Sequence, residues 1–433
     1  MANLKTTRDI KIAVLRKAGE LEDGSSAFDT AAEEYIDQIH KGLIAGGNEF
    51  DIDIDDPWMW AKSRRDIVIN LQPPYDTGTV SLTLDSSAGT FSSAPTDSQK
   101  GRFLKIEARD EYFRIAAHTA GNAAFTLDKA YTEATGSFNF KSIPLEYDVV
   151  DDTIVIDSTN NRINFTDDAG TYAVTVDSAV YSPSSLATEV ASKMNAAASD
   201  TITVTWDSDT RKFTIASNGA TTFSLLWASG ANALVSAAAP LGFDDVDSID
   251  AFTYTSINPL NAIERFIEPF VVYRRIDDFW HSVRNTGTIT ALDENTLIRQ
   301  YPLIDLRAGT PTRYAVVRRA NSGITTIRLN KYVEDQTRIE IPYIPIPRTL
   351  QDNNVSVPLV PEAFRGILVD GAAYYIQEDK ADDKAQSSFA RTKQRLKSLQ
   401  SANRKEVQLS GMHWGRLVPR RGHMDRRKRI FLD

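Results

Sequence analysis

The hydrophobic period of this chain changes twice, from helical spacing to strand-like alternation and back, and that order limits the folds open to it. Near the N-terminus Ile10, Ala13, Val14 and Ala18 recur at helical spacing, with Thr6 or Thr7 placed to cap the helix and Gly19 to stop it. A second stripe, Phe28, Ala31, Ala32, Tyr35, Ile36, Ile39 and Leu43, follows the cap candidates Ser25 and Ser26 and ends at Gly46-Gly47. At the other end Pro361 opens a helix whose apolar face runs from Ala363 to Ile376. A polar helix from Ala381 to about Lys405 follows, with a thin seam of Phe389, Leu396 and Leu399, and the chain reads as irregular from Gly411. Short amphipathic helices are marginal alone, so the two terminal sets are expected to bury their stripes together.

Between them lie β runs. Candidate strands are Thr79–Leu84, Arg102–Ile106, Tyr112–Ala116 and Ala124–Leu127, then Phe270–Arg274, Thr312–Val317, Thr325–Leu329 and Arg338–Tyr343. Prolines 342, 345 and 347 are expected to end that series as a stiff connector. Residues 151–250 read as a separate unit: three strands, a helix opened by Ser182-Pro183 with Leu186, Val190 and Met194 in one row, then three more strands. The expected division is 1–70 (N-terminal helices and aromatic linker), 71–150 and 258–350 (two parts of one β module), 151–257 (an inserted acidic α+β domain), 351–405 (C-terminal helices) and 406–433 (a basic docking tail). The expected fold class is α+β: a helical bundle made from N- and C-terminal helices, with a central antiparallel β module carrying the inserted small α+β domain.

Composition narrows the function. Of 433 residues, 42% are hydrophobic and 25% charged, enough apolar material for several cores. No stretch approaches the roughly 20 apolar residues of a membrane span, and the charges at Lys5, Arg8, Asp9, Lys11, Arg16 and Lys17 leave no apolar run for a signal peptide. There is no cysteine, which removes disulfides, thiolate metal sites and cysteine nucleophiles and fits synthesis in a reducing cytosol. The net charge of -9 is unevenly spread: residues 391–433 carry +10, leaving -19 on the other 390, and residues 151–250 alone carry -10.

Signatures of chemistry are scarce. Histidines stand at 40, 118, 281, 413 and 423, no two at metal-pair spacing, and there is no HExxH, GxSxG, GxxxxGK[ST] or GxGxxG. Asp51, Asp53, Asp55 and Asp56 fail as a calcium loop, because position six is Asp56 rather than glycine and position twelve is Lys62 rather than glutamate. With 58 acidic residues, proximity of some carboxylate pair says nothing about glycoside hydrolysis. No catalytic residue, metal site or cofactor is therefore expected. Trp58 and Trp60 fit either a stacking platform or an aromatic plug where the β module meets the helices, and the plug is preferred.

The sharpest feature is the C-terminal tail, where Arg416, Arg420, Arg421, Arg426, Arg427, Lys428 and Arg429 are interleaved with Trp414, Leu417, Val418, Ile430 and Phe431. A counterion-release tail for DNA needs charge and few apolar groups; arginine with aromatic anchors suits docking into an acidic protein groove. Docking is preferred, with nucleic-acid binding second; a merely solubilising tail is the bland alternative to both.

The order of segments resembles the tailed-phage head-to-tail adaptor (connector, or tail tubular protein A-like) family. The matching stretches are Thr7-Arg8-Asp9 through Leu15-Arg16-Lys17-Ala18-Gly19, the helix at Phe28-Asp29-Thr30-Ala31-Ala32, and Pro57-Trp58-Met59-Trp60-Ala61. Further along come Ile143-Pro144-Leu145-Glu146-Tyr147, Gly309-Thr310-Pro311-Thr312-Arg313-Tyr314, and Gly371-Ala372-Ala373-Tyr374-Tyr375 in a C-terminal core helix. The resemblance covers roughly residues 1–150 and 258–400; the domain at 151–250 departs from the smaller adaptors. It implies a non-enzymatic virion structural protein, made in the host cytoplasm and placed at the head-tail junction. It also implies a dodecameric ring below the portal, contacts with tail tube, nozzle or fibre proteins, and passage of genomic double-stranded DNA without sequence specificity. The C-terminal residues Trp414, Arg416, Arg420, Arg421, Arg426, Arg427, Lys428, Arg429, Ile430 and Phe431 occupy the place of the family's portal-binding segment. Excess acid on the body is expected to face the channel so that phosphates slide. A tail-fibre or glycan-binding component is the first alternative and a peptidoglycan-degrading virion enzyme the second.

Overall fold

The computed structural model describes residues 4–20, 27–45, 50, 58–63, 65–107, 109, 111–219, 221–267, 270–276, 279–282, 288–319, 324–335 and 337–413, with side chains described as far as 404 in the last helix. The chain divides into two compact units, residues 1–61 with 349–433, and residues 62–348. The first unit begins with α1 (Thr7–Ala18) and α2 (Asp29–Ala45). Thr6 caps α1 in a capping box with Asp9, and Gly19 ends it in the left-handed region at φ 73°. Ser25 and Ser26, expected to cap α2, lie outside the described residues.

The second unit opens with β1 (Ile67–Leu71). A seven-stranded sheet follows: β2 (Val80–Leu82), β3 (Ala88–Phe91), β4 (Phe103–Ile106), β5 (Tyr112–His118), β6 (Ala124–Leu127), β7 (Gly136–Phe138) and β8 (Phe140–Ile143). Its order is β7-β2-β3-β6-β5-β4-β8, so its two end strands are neighbours in sequence and the sheet nearly closes into a barrel. Alternating residues fill it, with Val80, Leu82, Phe91, Leu104, Phe113, Ile115, Phe125 and Phe140 in one cluster. Gly89 is required here, because Phe125 lies across the site a Cβ would occupy.

Next come β9 (Glu146–Val149) and then the strands of the insert: β10 (Ile154–Ile156), β11 (Arg162–Thr166), β12 (Thr171–Thr175), β13 (Ala179–Tyr181), the helix α3 (Pro183–Asn195), β14 (Ile202–Asp207), β15 (Lys212–Ser217), β16 (Phe223–Leu225), β17 (Ser248–Ala251) and β18 (Thr253–Thr255). Three small sheets result, ordered β10-β13, β12-β11-β16-β17 and β14-β15-β18. They and α3 enclose a single core running from Ile154 to Leu260, and Leu186, Val190 and Met194 face it as their spacing predicts. Ser182 and Ser185 form the capping box of α3, with Pro183 in its first turn.

The remaining strands are β19 (Ile263–Phe266), β20 (Phe270–Ile276), β21 (Phe279–Ser282), β22 (Thr288–Ala291), β23 (Arg313–Arg319), β24 (Thr325–Leu329), β25 (Thr337–Ile341) and β26 (Tyr343–Pro345), with α4 (Glu294–Gln300) between β22 and β23. They build an eight-stranded, nearly closed sheet of order β1-β25-β20-β22-β23-β24-β9, with β21 paired to β20. The pair β22 and β23 is parallel, and α4 is the crossover that such a pair requires. Prolines 342 and 345 do not form a free connector: β26 pairs with β19, with Pro345 opposite Ile263, on a two-stranded ribbon where a missing donor is tolerated.

The chain then returns to the first unit with α5 (Gly366–Asp379) and α6 (Ala385–His413), and α5 contacts α1, α2 and α6. Pro361 precedes a 3-10 turn at Glu362–Phe364 rather than α5 itself.

The expected fold class is corrected. The structure is mostly β, with 31% strand against 27% helix and six helices among the described residues, and it is not a helical bundle carrying one central β module. The β part comprises two nearly closed sheets in place of a single module. The reason is physical: β7, β9, β13, β17, β18, β19, β21 and β22 are three or four residues long, too short to show a period, and several are polar on both faces.

Candidate functional site

The two histidines whose side chains are described, His40 and His118, hold structural hydrogen bonds. Among the described residues no group of three or more His, Asp or Glu could hold a metal ion. His118 accepts the Gln99 N–H at 3.0 Å through Nδ1, so Nε2 carries the proton and donates to the Asn122 carbonyl at 2.9 Å, tying two loops of the seven-stranded sheet. His40 is buried on α2, where its Nε2 accepts the Leu359 N–H at 3.2 Å. The aspartates at 51, 53, 55 and 56, and His423, lie outside the described residues.

Trp58 is a core residue of the first unit. It is fully buried, donates from Nε1 to the Leu43 carbonyl at the end of α2 at 2.5 Å, and lies 5.6 Å from the Trp60 ring. The adjoining Met59 N–H donates to Asn403 Oδ1 on α6 at 2.9 Å. A tryptophan sealed this way offers no face to a sugar or base.

The proposed docking residues Trp414, Arg416, Arg420, Arg421, Arg426, Arg427, Lys428, Arg429, Ile430 and Phe431 lie outside the described residues. What the structure describes is the stem that leads to them. Ala385, Ser388, Thr392, Leu396, Leu399 and Asn403 form one buried seam along α6, each three or four residues after the last. The outward row of Gln394, Lys397, Ser398 and Ser401 borders an open groove.

Buried charge anchors the stem. Asp370 on α5 is 3% exposed and receives both Lys17 Nζ from α1 and Arg395 Nε from α6, the latter at 2.7 Å. Gly366 makes room for that guanidinium, since a Cβ there would collide with Arg395. Gln377 Oε1 accepts the Ser388 hydroxyl at 2.7 Å. Lys11 is clamped between Asp29 at 2.6 Å and Asp352 at 2.7 Å; burial opposes its charge, but the two carboxylates outweigh that and raise its pKa. Arg365 donates to four backbone carbonyls, those of Leu4, Lys5, Pro358 and Val360, and burial lowers its pKa. Three separate polar clusters thus tie α1 and the residues before it to residues 352–395, and Asp370 holds α6 through Arg395.

A second surface, missed by the sequence reading, belongs to the insert. Val155 and Val180 are exposed and directly opposite each other on β10 and β13, and Leu234, Val246, Ile249, Phe252 and Ile257 are exposed as well. Single exposed apolar residues are ordinary; Ile249, Phe252 and Ile257 stand out because they follow one another along neighbouring strand edges. One sequence signal was present: no Lys or Arg occurs from Phe213 to Glu264.

Comparison with family models and with curated proteins finds no match for this chain.

Proposed function

We propose that this chain is a head-to-tail adaptor of the tailed-phage type, a virion structural protein that assembles as a dodecameric ring below the portal and lets DNA pass. The observation that carries the reading is the stem. The long helix α6 is locked to α1 through Asp370 and to the Trp58 region through Asn403, and it runs directly into the arginine- and aromatic-rich residues 414–433. In a ring each copy presents one such segment at the same height, and many modest contacts add up through effective concentration. The portal takes that segment; tail tube, nozzle or fibre proteins take other surfaces. The acidic balance of the body suits a channel that repels phosphates and so does not hold DNA in place.

The test compares the full chain with a chain ending at Arg404, each mixed with the portal protein of the same particle and examined by native mass and electron microscopy. The full chain gives a ring on the portal; the shortened one keeps its fold and does not attach. Equal attachment of both, or a monomer with hydrolytic activity, rejects the proposal.

A further inference from the structure

Open strand edges recruit partners, and soluble proteins commonly blunt them with lysine, proline or a covering segment. The stretch Ser248–Thr255 forms two such edges in succession: β17 is the outer strand of β12-β11-β16-β17, and β18 is the outer strand of β14-β15-β18. Neither lysine nor proline lies between Pro240 and Pro259. The Ser217 N–H donates to the Phe252 carbonyl and the Ser256 N–H to the Phe213 carbonyl, so Phe252, Tyr254 and Ser256 are the positions bonded to β15. Thr253 and Thr255, opposite Ala216 and Thr214, therefore turn their backbone N–H and C=O groups to the open side.

Side chains along this edge are apolar and acidic. Ile249 is 64% exposed, Phe252 46% and Ile257 63%. Asp250 is exposed between the first two, and Asp200 reaches Ser217, the residue bonded to Phe252. Antiparallel self-pairing through Thr253 and Thr255 would set Asp250 opposite residues 256–260 of the second copy, which offer it no cation. Charge complementarity calls for a cation.

The backbone turns at Asp250 (φ 57°), so the edge of β18 is the pairing surface and Ile249 and Asp250 flank it. We propose that this edge, residues 252–257, is a strand-addition site for an extended cationic and apolar segment of a partner protein, with Lys or Arg alternating with Val, Ile or aromatic residues. Backbone hydrogen bonds to Thr253 and Thr255 supply affinity, and Ile249, Phe252, Ile257 and Asp250 read the alternate side chains. This site is separate from the tail, so a chain ending at Arg404 keeps it.

The experiment titrates the full chain with a labelled peptide of about ten residues alternating Arg and Val, and with its Glu-for-Arg counterpart, at low salt. The cationic peptide is expected to bind at least about tenfold tighter. Thr255→Pro removes an outward donor and keeps the backbone ladder to β15, with Thr255→Val as the control for the lost hydroxyl contact to Thr214, and Ile249→Lys reverses the edge chemistry. Thr255→Pro and Ile249→Lys should each weaken the cationic peptide about tenfold while the melting temperature and circular dichroism stay unchanged. Equal binding of the two peptides, or unchanged binding by both folded variants, overturns the proposal. So does self-association that Thr255→Pro abolishes, or tight edge binding by a peptide of residues 414–433, which would assign the edge to this chain's own copies.

Discussion

The helical unit and the insert solve the same problem of stability in opposite ways. Helices α1, α2, α5 and α6 come from the two ends of the chain and are joined by buried charge: Lys17 and Arg395 on Asp370, Lys11 on Asp29 and Asp352, Arg365 on four carbonyls. The insert is one continuous piece with an apolar core from Ile154 to Leu260, and among its described residues the most buried charge stands at its root. There Arg211, 4% exposed, holds Asp152 at 2.8 Å and the carbonyls of Asp151 and Leu260. Burying charge is a poor source of net stability but makes a pairing specific and costly to break. Burying hydrocarbon is non-directional and leaves the outer faces free to vary.

That contrast can be broken, and the largest effect is expected at Asp370. Asp370→Ala strands two cations, one of them half exposed, and should cost the helical unit about 2–4 kcal/mol in chemical denaturation, while hydrogen exchange in the insert stays unchanged. Equal loosening of the insert would show that the two stabilities are not separate.

Acid should act on the same side. Burial pushes the pKa of His40 down to about 4; Asp37 opposes this, and Lys41 and Arg365 add to it. The unfolded chain therefore binds the proton first, so stability is full above about pH 6.5 and falls between there and pH 4, by up to about 3 kcal/mol. The insert contains no histidine, so exchange-detected loosening in that window should appear in the helical unit and should flatten in His40→Gln.

At the root of the insert, Arg211→Met should cost about 2 kcal/mol, because the carbonyls of Asp151 and Leu260 lose their donor. Protease cleavage near residues 151–152 and 260–261 would report it before the insert core opens. A smaller effect is expected from Gly366→Ala, where gained helix propensity of about 1 kcal/mol partly offsets the displacement of Arg395. Smallest of all, Val180→Thr on the exposed face of β13 should stay within about 0.5 kcal/mol in thermal melts.

Much of the local structure was legible. The cap at Thr6, the stop at Gly19, the Ser182-Pro183 start of α3 and the row Leu186, Val190, Met194 all follow from side chains acting on their nearest turns. The strands read correctly are mostly those in which apolar residues recur at every second position, as in Ala124–Leu127 and Thr325–Leu329. The short strands were not legible, nor was the division of the β part into two nearly closed sheets, because strand partners such as β1 with β25 lie hundreds of residues apart. The exposed edge at Ile249 and Phe252 was equally hidden: apolar residues in a β run read as core until their neighbours are known.

The amino-acid sequence by itself determined the helix ends, the lack of thiol chemistry, the acidic insert and the basic terminal segment, all of which depend on residue type and near neighbours. Tertiary structure alone decided that Asp370 gathers cations from both chain ends, that Trp58 is core and not platform, and that two edges of the insert stay open. Those outcomes depend on which distant surfaces meet, and burial and pairing are properties of the meeting rather than of either partner.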